Sequence, residues 1–287
     1  MGHHHDHHHH GDSKLTLAVI INILLTIAQV IGGLVSGSLS LIADALHNLS
    51  DAGAILVAIF ARKISRRPQD SLMSYGYKRA EIVGTLINST TLILIGLYLI
   101  YEAGVKYFDP TPINGWIVLI IASIAFVIDL ATAFLTYSAG AKDNMNIRAA
   151  FIHNLSDAMA SLAVVAAGLL IIFFELYFVD VLATLAISIY VIYHGFLLLK
   201  RCILIIMQAV PDGISLRQVQ ADIESLTDVV SAKHIHIWQL DEHDICLEVH
   251  ITHTPADFEQ LKTEIRDLLK DKYHIDHTTI EPSVISA

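Results

Sequence analysis

The sequence predicts an α-helical membrane protein, six transmembrane helices followed by a small α+β domain of order αββαβ, on three observations. Only 16% of its 287 residues are charged against 54% hydrophobic, with a mean hydropathy of +0.57; soluble domains carry about 25% charged residues. Six apolar segments are each long enough to cross about 30 Å of hydrocarbon as a helix. Charge is also segregated. From Ala209 onward there are 6 Lys+Arg against 15 Asp+Glu, which accounts for −9 of the net −10. The expected organisation is a His-rich tail over 1–13, a transport-sized membrane domain over 14–208 and a cytoplasmic domain over 209–287. So acidic a surface excludes nucleic acid as a partner.

The chain opens on MGHHHDHHHHG, which has neither the charged start nor the apolar stretch of a cleavable signal peptide. It reads either as a purification tag or as a native, flexible collector of zinc, since neutral imidazoles bind the ion without a fixed fold. The six predicted spans run Leu15–Val35, Leu39–Ala61, Ala80–Tyr101, Ile113–Tyr137, Ile147–Phe174 and Tyr177–Leu199. Gly/Ser or Pro breaks separate several of them, whereas the fifth and sixth are divided only by Glu175 and Asp180. Basic residues mark one side. Lys14 precedes the first span, and Arg62, Lys63, Arg66, Arg67, Lys78 and Arg79 fall between the second and third. Lys142 and Arg148 lie before the fifth span, and Lys200 and Arg201 follow the sixth. The alternate loops hold Lys106 alone, so both termini are expected in the cytoplasm. SYGYKRAEI reads mainly as an interfacial aromatic and basic anchor, in which Glu81 is placed to form an ion pair with Arg79 at the start of the third span.

Beyond Val210 the pattern changes. SLRQVQADIESL and ADFEQLKTEIRDLLKDKY have helical spacing. VVSAKHIHIWQL and DICLEVHITH alternate as strands, and a short strand follows at Thr278–Ile280. That order suits a small ferredoxin-like sandwich. Cys202 and Cys246, far apart and outside any CxxC, are expected as free thiols.

One pentapeptide occurs twice. His-Asn-Leu-Ser-Asp stands at His47–Asp51 and at His153–Asp157, each inside an apolar run. His and Asp at i and i+4 leave one face of a helix. An uncompensated carboxylate in the membrane costs several kcal/mol, so Asp51 and Asp157 require a reason to be there. Imidazole nitrogen with carboxylate oxygen is the ligand set of a divalent transition metal, zinc above all. The predicted topology makes the two copies antiparallel near the bilayer midplane, where His47, Asp51, His153 and Asp157 form one four-ligand site. Two carboxylates neutralise the ion, and metal and proton then compete for the same groups. The plainer reading is a pair of interhelical hydrogen bonds. Asp44, on the face of His47, is either a partner of the ligands or proton carrier, or simply an Asp near the mouth of its span. Asn22, Gln29, Asn88 and Asp129 are candidates to line the pathway, although the amides read rather as interhelical hydrogen bonds.

The tail is dense in histidine. Alternation puts His234 and His236 on one strand face with His250 across from them, and His277 and Glu281 complete a candidate cytoplasmic zinc set. An intramembrane metalloenzyme would want three ligands, an open position for water and a general base; four ligands leave no such opening. A metal-sensing receptor is the other alternative, and the sequence carries no signalling domain.

Jointly, SGSLSLIADALHNLSD, SYGYKRAEI, the second HNLSD, AVPDGI, HIHIWQL and HIDHTTIE resemble the cation diffusion facilitator family, particularly its bacterial zinc-efflux members. The resemblance implies a homodimer, a metallochaperone-like cytoplasmic domain, and proton-driven zinc export through ligands at His47, Asp51, His153 and Asp157. A His at position 47 implies zinc selectivity over Cd2+. Two departures stand out. The loop before the third span keeps Asp70 but has no histidine, so the family's loop metal site is not expected. The first cytoplasmic strand reads Lys233-His234-Ile235-His236 where relatives often have His-Asp-Leu-His, which leaves His250 as the best-matched member of the family's cytoplasmic cluster.

Overall fold

The computed structural model describes residues 9–138, 145–241, 244–254 and 257–284. Six long helices come first: α1 (His9–Ser36), α2 (Leu39–Ser65), α3 (Ala80–Phe108), α4 (Gly115–Ser138), α5 (Met145–Phe174) and α6 (Phe178–Ile206). They coincide with the six predicted spans, mostly with extra turns at the ends. Among the described residues, α2 to α6 each contain a stretch long and apolar enough to cross a membrane, and Ile23–Ser36 of α1 is a shorter apolar helix. Of the expected 1–13 tail only the backbone from His9 is described, as the start of α1.

The chain divides into two compact units, residues 1–56 with 88–196 and residues 57–87 with 197–287, so α2, α3 and α6 contribute to both. In the first unit the core is made of Leu41, Leu92, Leu99, Val118, Ala122, Val164, Ile171 and Ile187. Small residues let the helices approach. A Cβ on Gly168 of α5 would stand 3.1 Å from the backbone nitrogen of Leu119 in α4, a tight contact that a glycine avoids. The outward surfaces stay apolar, as with Leu34, Leu94 and Phe134, each more than 60% exposed, which suits hydrocarbon rather than water.

Glu175 ends α5 at φ 54°, and the soft boundary expected there resolves into a short turn before Phe178. Asp180, the acidic residue in the first turn of α6, is fully buried. Its carboxylate accepts from the Ser38 and Ser40 hydroxyls at 2.6 Å each and from the backbone N–H groups of Leu39 and Ser40. Lys106, in the last turn of α3, pairs with it at 3.1 Å and also donates to the Gly37 carbonyl. Ser38 Oγ in turn accepts from Leu41 N–H at 3.2 Å, the geometry of a helix N-cap. A buried anion therefore sits on the N-terminus of α2, where the unpaired amides and the helix dipole favour it.

The second unit holds the cytoplasmic domain: α7 (Leu216–Glu224), β1 (Val229–Gln239), β2 (Ile245–His253), α8 (Phe258–Tyr273) and β3 (His277–Val284). The predicted αββαβ order is the observed one. The sheet order is β1-β2-β3, with β2 antiparallel to β1 and parallel to β3; the parallel pair needs a crossover, and α8 supplies it. Val219 and Ile223 of α7 and Leu261, Ile265 and Leu269 of α8 share one core with Leu247, Val249 and Ile251 of β2. Asp257 caps α8 and His274 closes it in the left-handed conformation. Cys202 and Cys246 are both buried and not joined in a disulfide.

The loop between α2 and α3 winds around Asp70. Its carboxylate accepts from the N–H groups of Leu72 and Met73 and from the Tyr77 hydroxyl, all at 2.8 Å, and these donors hold its pKa below the usual carboxylate range. The expected Arg79–Glu81 pair is not formed. Glu81 instead accepts from Ser65 Oγ at 2.8 Å, across the α2–α3 gap, and Arg79 Nε is left buried with no hydrogen-bond partner among the described residues.

Candidate metal centre

Each repeat occupies the same place in its helix: His47 and Asp51 are the ninth and thirteenth residues of α2, and His153 and Asp157 the ninth and thirteenth of α5. Two antiparallel helices carrying the same i, i+4 pair bring the His of each against the Asp of the other. That crossing is observed. His47 Nε2 lies 3.0 Å from Asp157 Oδ1, and His153 Nε2 lies 3.3 Å from Asp51 Oδ2. The two within-helix pairs are longer, 3.8 Å for His47–Asp51 and 3.6 Å for His153–Asp157. Ligand atoms of His47, Asp51 and Asp157 lie within 4.8 Å of one another, and His153 stands outside that group while touching both of its carboxylates. The set is lopsided in exposure. The His47 and Asp157 side chains are 7% and 12% exposed, whereas Asp51 and His153 are 33% and 48% exposed and form the open side.

Behind the buried half lies a polar network. Asp44, one turn before His47, accepts from Gln29 Nε2 of α1 at 2.6 Å and from Ser161 Oγ of α5 at 3.2 Å. Gln29 Oε1 accepts from Asn48 Nδ2 at 3.1 Å, so the amide beside the first ligand is tied to α1. Ser161 Oγ also lies 2.8 Å from Asp129 Oδ2 of α4. Tyr190 of α6 packs edge-on against the His47 ring, centroids 5.9 Å apart, and the His194 ring lies 4.5 Å beyond it. His47 Nδ1 is buried without a partner, so Nε2 is the nitrogen turned to the site. Gln29 thus acts as an interhelical bond, as read from the sequence. The link from Asp129 through Ser161 to Asp44 was not legible, since single polar residues on separate helices carry no shared spacing.

The cytoplasmic histidines separate into two groups. His234 adopts φ 52° at a bulge, where the β1–β2 register slips between Lys233 and His236. Its ring comes within 4.6 Å of His236 and 4.5 Å of His250, centroid to centroid. Glu248, missed in the sequence, pairs in register with His236, and ligand atoms of His234, His236 and Glu248 lie within 4.8 Å of one another. His250 Nε2 is 3.2 Å from Glu281 of β3. His277 stands apart, opposite Cys246 at the start of β3 with its ring against Tyr75, and does not join this cluster. His253 is buried, stacked on Phe258 and bonded through Nδ1 to the Thr254 carbonyl at 2.6 Å.

Comparison with known proteins places this architecture. Residues 15–207 match the cation efflux transmembrane domain, and residues 211–282 the cytoplasmic domain of cation efflux proteins. The zinc transporter ZitB of Pectobacterium atrosepticum is 32% identical over 283 residues, 98% of this chain and 88% of the relative. The metal cation efflux system protein CzcD of Cupriavidus metallidurans is 30% identical over 98% of this chain and 89% of its own. A cadmium, cobalt and zinc/H(+)-K(+) antiporter of Bacillus subtilis is 34% identical over 89% and 83%. Both halves of the chain match in their proper order, and the chain belongs to the cation efflux family, whose members are membrane transporters and not enzymes.

Proposed function

We propose that this protein exports Zn2+ from the cytosol across the cytoplasmic membrane in exchange for protons, by alternating access at His47, Asp51, His153 and Asp157. The observation that carries the reading is the crossed pairing, each His against the Asp of the other helix at 3.0 and 3.3 Å. Two imidazoles and two carboxylates offer a tetrahedral, charge-neutral set for zinc. With the ion gone, four basic groups a few Å apart compete for protons, so ion and proton use the same ligands in turn. Asp44 and Asp129, sharing the single hydroxyl hydrogen of Ser161, are a place behind the site where a proton can rest. The loop charges put both termini in the cytoplasm. The match of residues 211–282 to a cytoplasmic domain supports that side for the C-terminal unit, and a homodimer joined there fits its modest size.

The cytoplasmic face of His234, His236 and Glu248, with His250 and Glu281 alongside, is a second place for zinc, held by the protein rather than transported. Zinc content of the purified protein should drop in the doubly substituted His234→Ala, His236→Ala chain while transport ligands stay loaded.

Reconstituted in liposomes enclosing a zinc dye, the protein should move zinc when a proton gradient is imposed. Asp51→Ala and Asp157→Ala should each abolish that flux. Transport that survives both substitutions would sink the site assignment, and zinc flux indifferent to the gradient would remove the exchange.

A further inference from the structure

The second unit forms a half-open cavity of about 1140 Å3 that the metal pathway does not use. One wall is made by the cytoplasmic ends of two spans, through Phe60 and Ile64 of α2 and Val83 and Ile87 of α3. These residues are 66%, 39%, 47% and 59% exposed, a continuous apolar strip open to the outside. The opposite wall is strand β1, with Trp238 turned into the space. Ion-pair and ring contacts tie the parts together: Lys78 pairs with Asp244, and Tyr75 packs on His277.

Arg79 also lines this cavity, and its Nε is buried with no hydrogen-bond partner among the described residues. A buried guanidinium N–H without an acceptor is costly, so the geometry asks for an anion. The adjoining end of α2 and the loop after it are rich in cations, with six Lys+Arg against two acidic residues over 57–87. None of the ion pairs among the described residues takes Arg62, Lys63, Arg66, Arg67 or Arg79; Arg67 instead lies over the Tyr77 ring at 5.9 Å. Glu248 on the β1–β2 side is the acidic residue of the lining. A free inorganic anion would satisfy Arg79 but leave the apolar strip facing water. An amphiphile satisfies both.

We propose that this cavity is a binding site for an anionic phospholipid of the cytoplasmic leaflet, with its phosphate on Arg79 and an acyl chain along Phe60, Ile64, Val83 and Ile87. Charge complementarity selects the headgroup, because cations at the membrane boundary draw anionic lipids while the acidic cytoplasmic domain, further from the bilayer, does not. The volume exceeds that of an ordinary small-molecule pocket, roughly 300–1,000 Å3, and suits a long chain. The bound lipid would bridge the helix ends to β1, joining bilayer composition to the position of the cytoplasmic domain.

The chain has two tryptophans, Trp116 and Trp238, which makes the test direct. Trp116 is 62% exposed on α4 and would meet lipid anyway, so a Trp116→Phe background leaves Trp238 as the single reporter. That protein is reconstituted in phosphatidylcholine vesicles in which a minor fraction of lipid carries brominated acyl chains, on either phosphatidylglycerol or phosphatidylcholine. The brominated phosphatidylglycerol should quench Trp238 at about fivefold lower concentration than the brominated phosphatidylcholine, the ratio that about 1 kcal/mol for one cation gives. Arg79→Gln should remove that difference, and added inorganic phosphate should not. Equal quenching by the two lipids, quenching by neither, as when a second copy of the chain covers the cavity, or a difference that survives Arg79→Gln each overturns the proposal. If Arg79→Gln fails to fold, the two-lipid comparison on the parent chain still decides. Because quenching requires no zinc flux, its outcome stands apart from the fate of the metal site.

Discussion

If the proposed site is right, the choice of ion falls to His47. It is the most enclosed of the four ligands, and the rings of Tyr190 and His153 pack against it edge-on at 5.9 and 6.3 Å. An imidazole held this way gives one short, directional bond of about 2.0–2.1 Å, which suits tetrahedral zinc. A carboxylate at the same place can bind through one oxygen or two and accepts a larger ion. His47→Asp should therefore raise the cadmium-to-zinc transport ratio on the order of tenfold, a change of about 1.4 kcal/mol between the two ions. Competition uptake in proteoliposomes measures it, and an unchanged ratio would remove position 47 from selectivity. That these four side chains meet was legible because one spacing recurs on two helices. The link from Asp129 through Ser161 was not, since their meeting with Asp44 depends on how α4 and α5 pack. Glu248 escaped for a similar reason: it joins His234 only through a bulge that no alternation pattern announces.

At the scale of elements, α2 is the helix to hold in place, because it carries half the site. Its first turn is pinned by Asp180, which accepts two hydroxyls and two backbone amides from Ser38–Ser40 and pairs with Lys106. Breaking a buried ion pair by removing one partner costs about 3–5 kcal/mol, because the other charge stays buried. Asp180→Ala should accordingly lower the thermal midpoint in detergent and reduce zinc flux. Lys106→Met added to it should recover part of the midpoint, since no unpaired cation remains; a double-mutant cycle of midpoints reads that coupling, and strict additivity would show that the two residues do not act together. The spans themselves were nearly fully legible. Lengths, Gly/Ser and Pro breaks and the loop charges mark the same six segments that the helices occupy. What the pattern did not reveal is which acidic residue is structural: Glu175 ends a helix while Asp180, five residues on, holds three helices together.

For the molecule as a whole, the change from apolar helices to a small acidic α+β fold was written in the distribution of charge, whereas the contacts that stabilise the acidic fold come from its packing. Asp222 shows how. It lies on α7 and accepts from Lys272 and Tyr273 at the end of α8 and from Gln218, so it fastens the two helices that cover the sheet. The Lys272 and Tyr273 donors hold the Asp222 pKa below the ordinary carboxylate value, and burial together with the same bond pushes Tyr273 up to about 12. The two shifts act at opposite ends of the pH scale. A depressed Asp adds stability above its unfolded value of about 3.9 that is lost as pH falls through the lower folded value. A raised Tyr adds stability below its unfolded value of about 10 that is lost as pH rises toward the folded one. Hydrogen exchange of α7 and α8 in the intact protein should therefore show Asp222→Asn less protected than the parent at pH 7, with the gap closing below about pH 4. Tyr273→Phe should likewise lose protection at neutral pH, with its gap closing between about pH 10 and 12. Parallel pH profiles for parent and variants would mean that this contact does not set the domain's pH range.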